Sequence, residues 1–596
     1  MIKGKPFYEN ERKGEKMKAE QRMVIEFLNG NKQQLTPFYQ RKYRWSKPNC
    51  ERLFEDIIKI GKSKVKHTYF LGVIFHGKPY LNNTAISHYD IIDGQQRVTT
   101  LTLFICALAE YLKKNPIDDL PNYLDLIEDY VINRNYSEDD YFKLKLQEKD
   151  DNVFKNLIFH LVNDDVLQNT KGSRVILNFN YFKNKINSKN IHTLYKGFLK
   201  LKIMDMILEE DDTPQEVFET INSTGLNLRQ SEQVKNYLFM GLSNKNTQKR
   251  LDSLYWRKME EICDTQSEIF FDKFIKNFLM LKLGRTVTNK DIYDEFKIYA
   301  NSDFEKSSEA ISIDFIKELS FISKYYFRIT LPECYEDDKD LKHLFMNINT
   351  LNQYTLPFTL RLYVEYANSK LKKEEFIKIL KLVESYSLRR KLCELQTGGG
   401  TDGLFASLYD KLDKNSLYNS LQISLSSLTG TKRFPTDKEI IMKLKQFDFY
   451  HFKQAAWVLC RIENYNHKEV VLMTKDITKE HIMPQTLSQE WMDSLSDKEI
   501  ELHKDYVHTI GNITLSGYNQ TLGNKSFDEK KKMENGYCNS KITLTKELCA
   551  YDCWGIKEIS ERTDNIIKQI LTIWEYPQIE EVPLESFKEV IDVPAK

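Results

Sequence analysis

Ile477-Thr478-Lys479-Glu480-His481-Ile482-Met483-Pro484-Gln485, answered further on by His508-Thr509-Ile510-Gly511-Asn512-Ile513-Thr514-Leu515, decides how this chain is read. A β-branched run closed by Pro484 predicts a short strand entering a turn, with Glu480 and His481 at its exposed end. A carboxylate and an imidazole then share one small site. Asn512 and Asn519 follow at the spacing of a second strand and a helix, and Gly517 to Lys530 reads as the start of that helix. The combination suits metal-assisted phosphodiester hydrolysis, because a hard divalent ion takes oxygen ligands while an imidazole accepts a proton from water near neutral pH. Alone, Glu-His-Ile-x-Pro is a weak signal, since a surface histidine beside a glutamate is ordinarily a solvated pair. The Asn512 and Asn519 elements, in order, add the weight.

Glu-His-Ile-x-Pro, then Gly-Asn-Ile-Thr-Leu, then Asn519 and Asn524-Lys525-x-Phe527 resembles the HNH (ββα-metal) nucleases, specifically the C-terminal domain of GmrSD-type modification-dependent restriction endonucleases. The resemblance implies that His481 is the general base, that Glu480 and Asn519 hold Mg2+ or Mn2+, and that Asn512 orients the imidazole. Asn524 and Lys525 are further choices as metal ligand and phosphate contact. Many such fingers carry paired cysteines for a structural zinc. Cys538, Cys549 and Cys553 are too irregularly spaced for that.

Composition bounds the rest. A chain of 596 residues is too long for one core, and its 41% hydrophobic and 29% charged content is that of an ordinary soluble protein. Nine scattered cysteines and a charged N-terminus without an apolar leader suit a reducing cytoplasmic interior. The apolar run Val98 to Leu112 contains three threonines and ends at Lys113-Lys114, so it predicts a buried helix and no membrane span. Net charge is +1, so any pull on DNA must come from local patches. Residues 1–66 hold 17 Lys+Arg against 8 Asp+Glu, whereas 116–152 hold 4 against 11. Both stretches also read as solvated helix faces.

Along the chain, a helix is expected around Glu20 to Leu28. In Gln34 to Ser46 aromatic and cationic residues interleave, a stretch that could hold phosphates or form an edge strand. Helical spacing marks 49–62; strands are expected at Tyr69 to Phe75 and Tyr89 to Ile92. Asp93-Gly94-Gln95-Gln96-Arg97 then turns into the Val98 helix. A helix N-terminus there offers free N–H groups to a phosphate, unless Asp93 merely caps it. Pro37-x-Tyr39-Gln40-Arg41-x-Tyr43-x-Trp45, Phe70-Leu71-Gly72 and Asp-Gly-Gln-Gln-Arg resemble the N-terminal ParB/sulfiredoxin-like domain of the same family. That resemblance implies an NTP pocket formed by Arg41, Arg44, Asp93, Gln95, Gln96 and Arg97. Glu219 and Asn222, in a turn between helices, could complete it or simply cap a helical hairpin.

Periodic apolar residues from 240 to 430 predict a helical scaffold. A glycine cluster at 398–400 reads as a loop before a phosphate cradle, and aromatic residues at 447–457 predict a helix face. Lys530-Lys531-Lys532 could rest on DNA backbone, and a final helix near 555–575 precedes an acidic tail expected to be mobile. The expected architecture is α+β and predominantly helical: a ParB/sulfiredoxin-like domain at 1–240, a helical connector at 241–435, an HNH domain at 436–575 and a tail at 576–596. The expected function is a cytoplasmic, metal-dependent anti-phage endonuclease acting on modified phage DNA under NTP control. Homodimerisation is open. The alternative is an NTP-driven DNA-binding sensor whose finger does not cut.

Overall fold

The computed structural model describes residues 18–64, 68–81, 86–136, 140–167, 172–208, 228–302, 307–395, 401–466 and 477–578. Two compact units emerge. The first comprises 1–272 with 293–317, and the second 273–292 with 318–596. The chain therefore leaves the first unit, re-enters it and leaves again, a path distinct from consecutive domains bounded at 240 and 435.

The first unit is built on a mixed sheet of β1 (Lys18–Met23), β2 (Lys32–Leu35), β3 (Tyr69–His76), β4 (Tyr80–Leu81), β5 (Ser87–Asp93), β6 (Leu144–Lys145) and β7 (Leu201–Ile207), in the order β1-β7-β3-β5-β2-β6 with β4 on β5. Residues 18–23 form a strand, where the sequence predicts the start of a helix. Six consecutive antiparallel pairs with β7 outweigh their helical propensity, and helix begins only at Val24. The strands expected at 69–75 and 89–92 are β3 and β5, and the apolar run lies in the helix Gln95–Lys114. This helix is buried along nearly its whole length. Its threonines tolerate burial because Thr99, Thr100 and Thr102 each donate their hydroxyl to the carbonyl four residues back, at 2.8, 2.7 and 2.9 Å.

The second unit is helical until its C-terminal part, where β8 (Thr478–His481) and β9 (Ile513–Ser516) pair antiparallel with His481 opposite Ile513. The helix Ile556–Ile573 underpins them. Its buried Arg562 donates to the carbonyls of Gly511 at 2.7 Å, Ile513 at 2.8 Å and Leu544 at 3.3 Å. Gly511 packs so closely on this helix that a Cβ would overlap the Ile559 carbonyl and the Thr563 hydroxyl. Arg389 and Arg390 are likewise buried and bind backbone carbonyls, Arg389 those of Trp574 and Pro435 and Arg390 that of Thr431.

Three expectations for this unit are corrected. The segment 447–454 is an irregular loop, and helix runs only from Ala455 to Asn466. After β9 the single expected helix is two short ones, Asn519–Leu522 and Phe527–Lys532, interrupted at Gly523, whose φ of +48° suits glycine. Cys538 and Cys549, read as part of a cysteine set suited to a reducing interior, are joined in a disulfide. Residues 209–227, 396–400 and 579–596 lie outside the described residues, and with them Glu219, Asn222, the glycine cluster and most of the acidic tail.

Candidate active site

Side chains alternate along a strand, so Glu480 and His481 at the end of β8 face opposite ways. They do not share one small site. Glu480 points inward, 3% exposed, where its Oε1 accepts from Lys530 Nζ at 2.7 Å and from the Tyr537 hydroxyl at 3.5 Å. Lys530 also donates to the carbonyls of His481 at 2.8 Å and Ile482 at 3.1 Å. Burial alone pushes the Glu480 carboxyl up and the Lys530 ammonium down, and the contact between them opposes both shifts.

His481 faces the other side. Its ring lies 4.0 Å from that of Tyr450, centroid to centroid, and 5.2 Å from that of His508. Nε2 is 3.2 Å from His508 Nδ1, and Nδ1 is 3.3 Å from the amide nitrogen of exposed Gln485. Two tautomers fit this geometry: the ring proton on Nδ1 facing the Gln485 amide oxygen, or on Nε2 facing His508. Burial first, then the charge of neighbouring His508, pushes the imidazole down to about 3, so it is neutral. His481 is 8% exposed, and a conjugate acid this acidic makes it a weak base as it stands.

The asparagines have other partners. Asn512, fully buried, accepts from Met483 N at 2.8 Å and Trp554 Nε1 at 3.1 Å, and donates to the carbonyls of Met483 at 2.9 Å and Val507 at 2.8 Å. It fixes the turn after His481 and does not touch the imidazole. Asn519 donates to the Lys479 carbonyl at 2.7 Å, while Asn524 and Lys525 are exposed on the turn between the two short helices. Of the three lysines proposed for DNA backbone, Lys530 and Lys531 are buried, and Lys531 donates to the Tyr551 carbonyl at 2.8 Å.

The irregular loop supplies groups the sequence reading passed over. Asp448, His451 and His508 bring one ligand atom each within 4.8 Å of the others, a group that could hold a metal ion. Phe449 and Tyr450 both donate their backbone N–H to the His508 carbonyl, at 2.9 and 3.1 Å, which fastens the loop beside the finger. The available signal was the spacing Asp448-x-x-His451, together with a histidine just before Gly511-Asn512.

In the first unit Gln95 donates to the Arg41 carbonyl at 3.1 Å and Gln96 to the Lys42 carbonyl at 3.2 Å, while Gln96 Oε1 accepts from Arg44 N at 2.8 Å. Arg97 donates to the Val73 carbonyl at 2.9 Å and lies 3.6 Å from Asp93. Gly72, with φ of +131°, leaves room for that guanidinium. Arg44 approaches Glu232 at 3.4 Å. The six residues are thus brought to one place, and the glutamines clamp the aromatic and cationic loop. A separate cavity of about 710 Å³, walled by Phe38, Tyr39, Tyr80, His88 and Lys245, is lined by none of the six.

A sheet-bearing unit with a clamped Asp-Gly-Gln-Gln-Arg turn, and a helical unit ending in a histidine-bearing hairpin, define a two-part enzyme-like chain. Two family models match it: GmrSD restriction endonuclease, N-terminal domain, over residues 24–239, and GmrSD restriction endonucleases, C-terminal domain, over 434–569. The chain belongs to the GmrSD restriction endonuclease family, whose substrate is DNA. No curated protein matches it. Among the described residues no helix is long and apolar enough to cross a membrane.

Proposed function

We propose that the chain is an HNH-type endonuclease of phage defence that hydrolyses modified DNA, with His481 as general base and NTP control in the first unit. The observation that carries this reading is His481 itself: an imidazole at the end of β8, on the opposite side of the strand from Glu480 and beside His508 and exposed Gln485. The His481 imidazole takes a proton from water as the water oxygen bonds to phosphorus and the bond to the leaving oxygen breaks, that oxygen taking a proton from solvent, and the contact with His508 keeps the ring turned. Asn512 and Lys530 act as positioning residues through the backbone at 481–483. Arg41, Arg44, Asp93, Gln95, Gln96 and Arg97 would meet the NTP.

A divalent ion in such a site would stabilise charge on the phosphate as it is attacked. The expected ligands Glu480 and Asn519 fit this role poorly. One is tied to Lys530 behind the strand and the other to a backbone carbonyl.

The test is a cleavage screen on unmodified and modified plasmid, with Mg2+ or Mn2+ and with or without each NTP. Wild type converts supercoiled DNA, whereas His481→Ala loses conversion by more than about 100-fold with its melting temperature unchanged. Equal nicking by a clean His481→Ala preparation would remove His481 from the mechanism. NTP turnover with no scission by wild type would favour the sensor reading.

A further inference from the structure

We infer that the divalent cation of this chain sits on Asp448, His451 and His508, in place of Glu480 and Asn519, and that the site takes a borderline ion such as Zn2+, Co2+ or Mn2+ in preference to Mg2+. The three donors come from two separate segments, the loop after the helix Asp437–Leu444 and the approach to β9. Their convergence is set by main chain, because Phe449 N and Tyr450 N both bond to the carbonyl of His508 itself.

An exposed Asp448–His451 pair, with Nδ1 at 2.9 Å from Oδ2, accounts for two of the three groups as an ordinary surface contact. It does not account for His508, whose ring lies 4.8 Å from that of His451 and whose Nδ1 is bonded to His481. Asp448 and His451 are exposed and His508 is partly so, which leaves water free to complete the coordination. Three protein ligands with an open position is the form taken by catalytic rather than structural zinc sites. Two imidazoles and one carboxylate favour borderline transition ions over Mg2+, which prefers oxygen donors and retains its waters. His481 would stand as the hydrogen-bonding neighbour of a ligand, the position from which outer groups tune a metal.

That such an ion serves cleavage rests on the nuclease reading; that it binds does not. The experiment uses the untagged full chain, stripped with chelator and re-equilibrated separately with Co2+, Zn2+, Mn2+ and Mg2+. Bound metal is measured by mass spectrometry, and cobalt geometry by visible absorption. Wild type should retain roughly one Co2+ or Zn2+ per chain, and His451→Ala and Asp448→Asn should weaken retention by more than about tenfold. Both replaced side chains are exposed, and circular dichroism checks that the fold persists. His481→Ala should keep the ion while losing cleavage. If it kept both, the nuclease mechanism would fail and the metal site would stand. Wild type that retains no transition ion, or His451→Ala that binds as well as wild type, would overturn the inference. Loss in Asn519→Ala with retention in His451→Ala would return the ion to Asn519.

Discussion

Lys530 places an ammonium with no exposed surface beneath the strand end that carries His481. Three acceptors meet it: the Glu480 carboxylate and the carbonyls of His481 and Ile482. Removing one partner of a buried pair leaves the other charge uncompensated, at a cost of about 3–5 kcal/mol. Lys530→Met should therefore lower the unfolding free energy of the second unit by roughly that amount, read by urea titration. Cleavage should fall with it, because the 481–482 carbonyls lose their anchor. Stability equal to wild type would show that Glu480 is not held as an ion there. Glu480 thus becomes part of the frame behind the histidine, a role its neighbour in sequence gives no hint of.

The elements that hold the two motifs are clamps made by side chains on backbone. Gln96 spans the helix Gln95–Lys114 and the loop at 42–45, accepting from two N–H groups and donating to one carbonyl. Gln96→Leu keeps the size and removes all three bonds, so it should destabilise the first unit by about 1–3 kcal/mol. Accelerated hydrogen exchange at Arg44 and Trp45 would report the freed loop, and unchanged protection there would rule the clamp out. Much of this level was legible in the sequence. β3, β5 and the central helix follow from apolar runs bounded by Gly and charge, and β8 and β9 from β-branched runs around Pro484 and Gly511. What was not legible depends on tertiary pairing. Residues 18–23 become a strand only because β7 lies beside them, and 447–454 gives up helix so that its backbone can bond to His508. Strand alternation at 480–481 could have been applied from the sequence alone. It separates the pair that the motif seemed to join.

At the level of the whole molecule, the first unit is completed by a distant segment. The helix Gln230–Met240 packs with residues 293–317: Tyr237 donates to Asn301 Oδ1 at 2.8 Å and its ring meets those of Tyr293 and Phe296. A chain truncated after Asp272 would lose these partners, whereas one ending after Lys317 would keep them. The longer fragment should melt at the higher temperature by differential scanning calorimetry, and equal melting would make 293–317 dispensable to the first unit. The same path governs folding during synthesis, when domains ordinarily close one after another from the N-terminus. Here the opening unit gains the partners supplied by 293–317 only after that segment has left the ribosome, by which time 273–292 of the second has already emerged. The nascent polypeptide therefore carries that stretch before the rest of its own unit is made, and slowing translation across this window is expected to lower soluble yield.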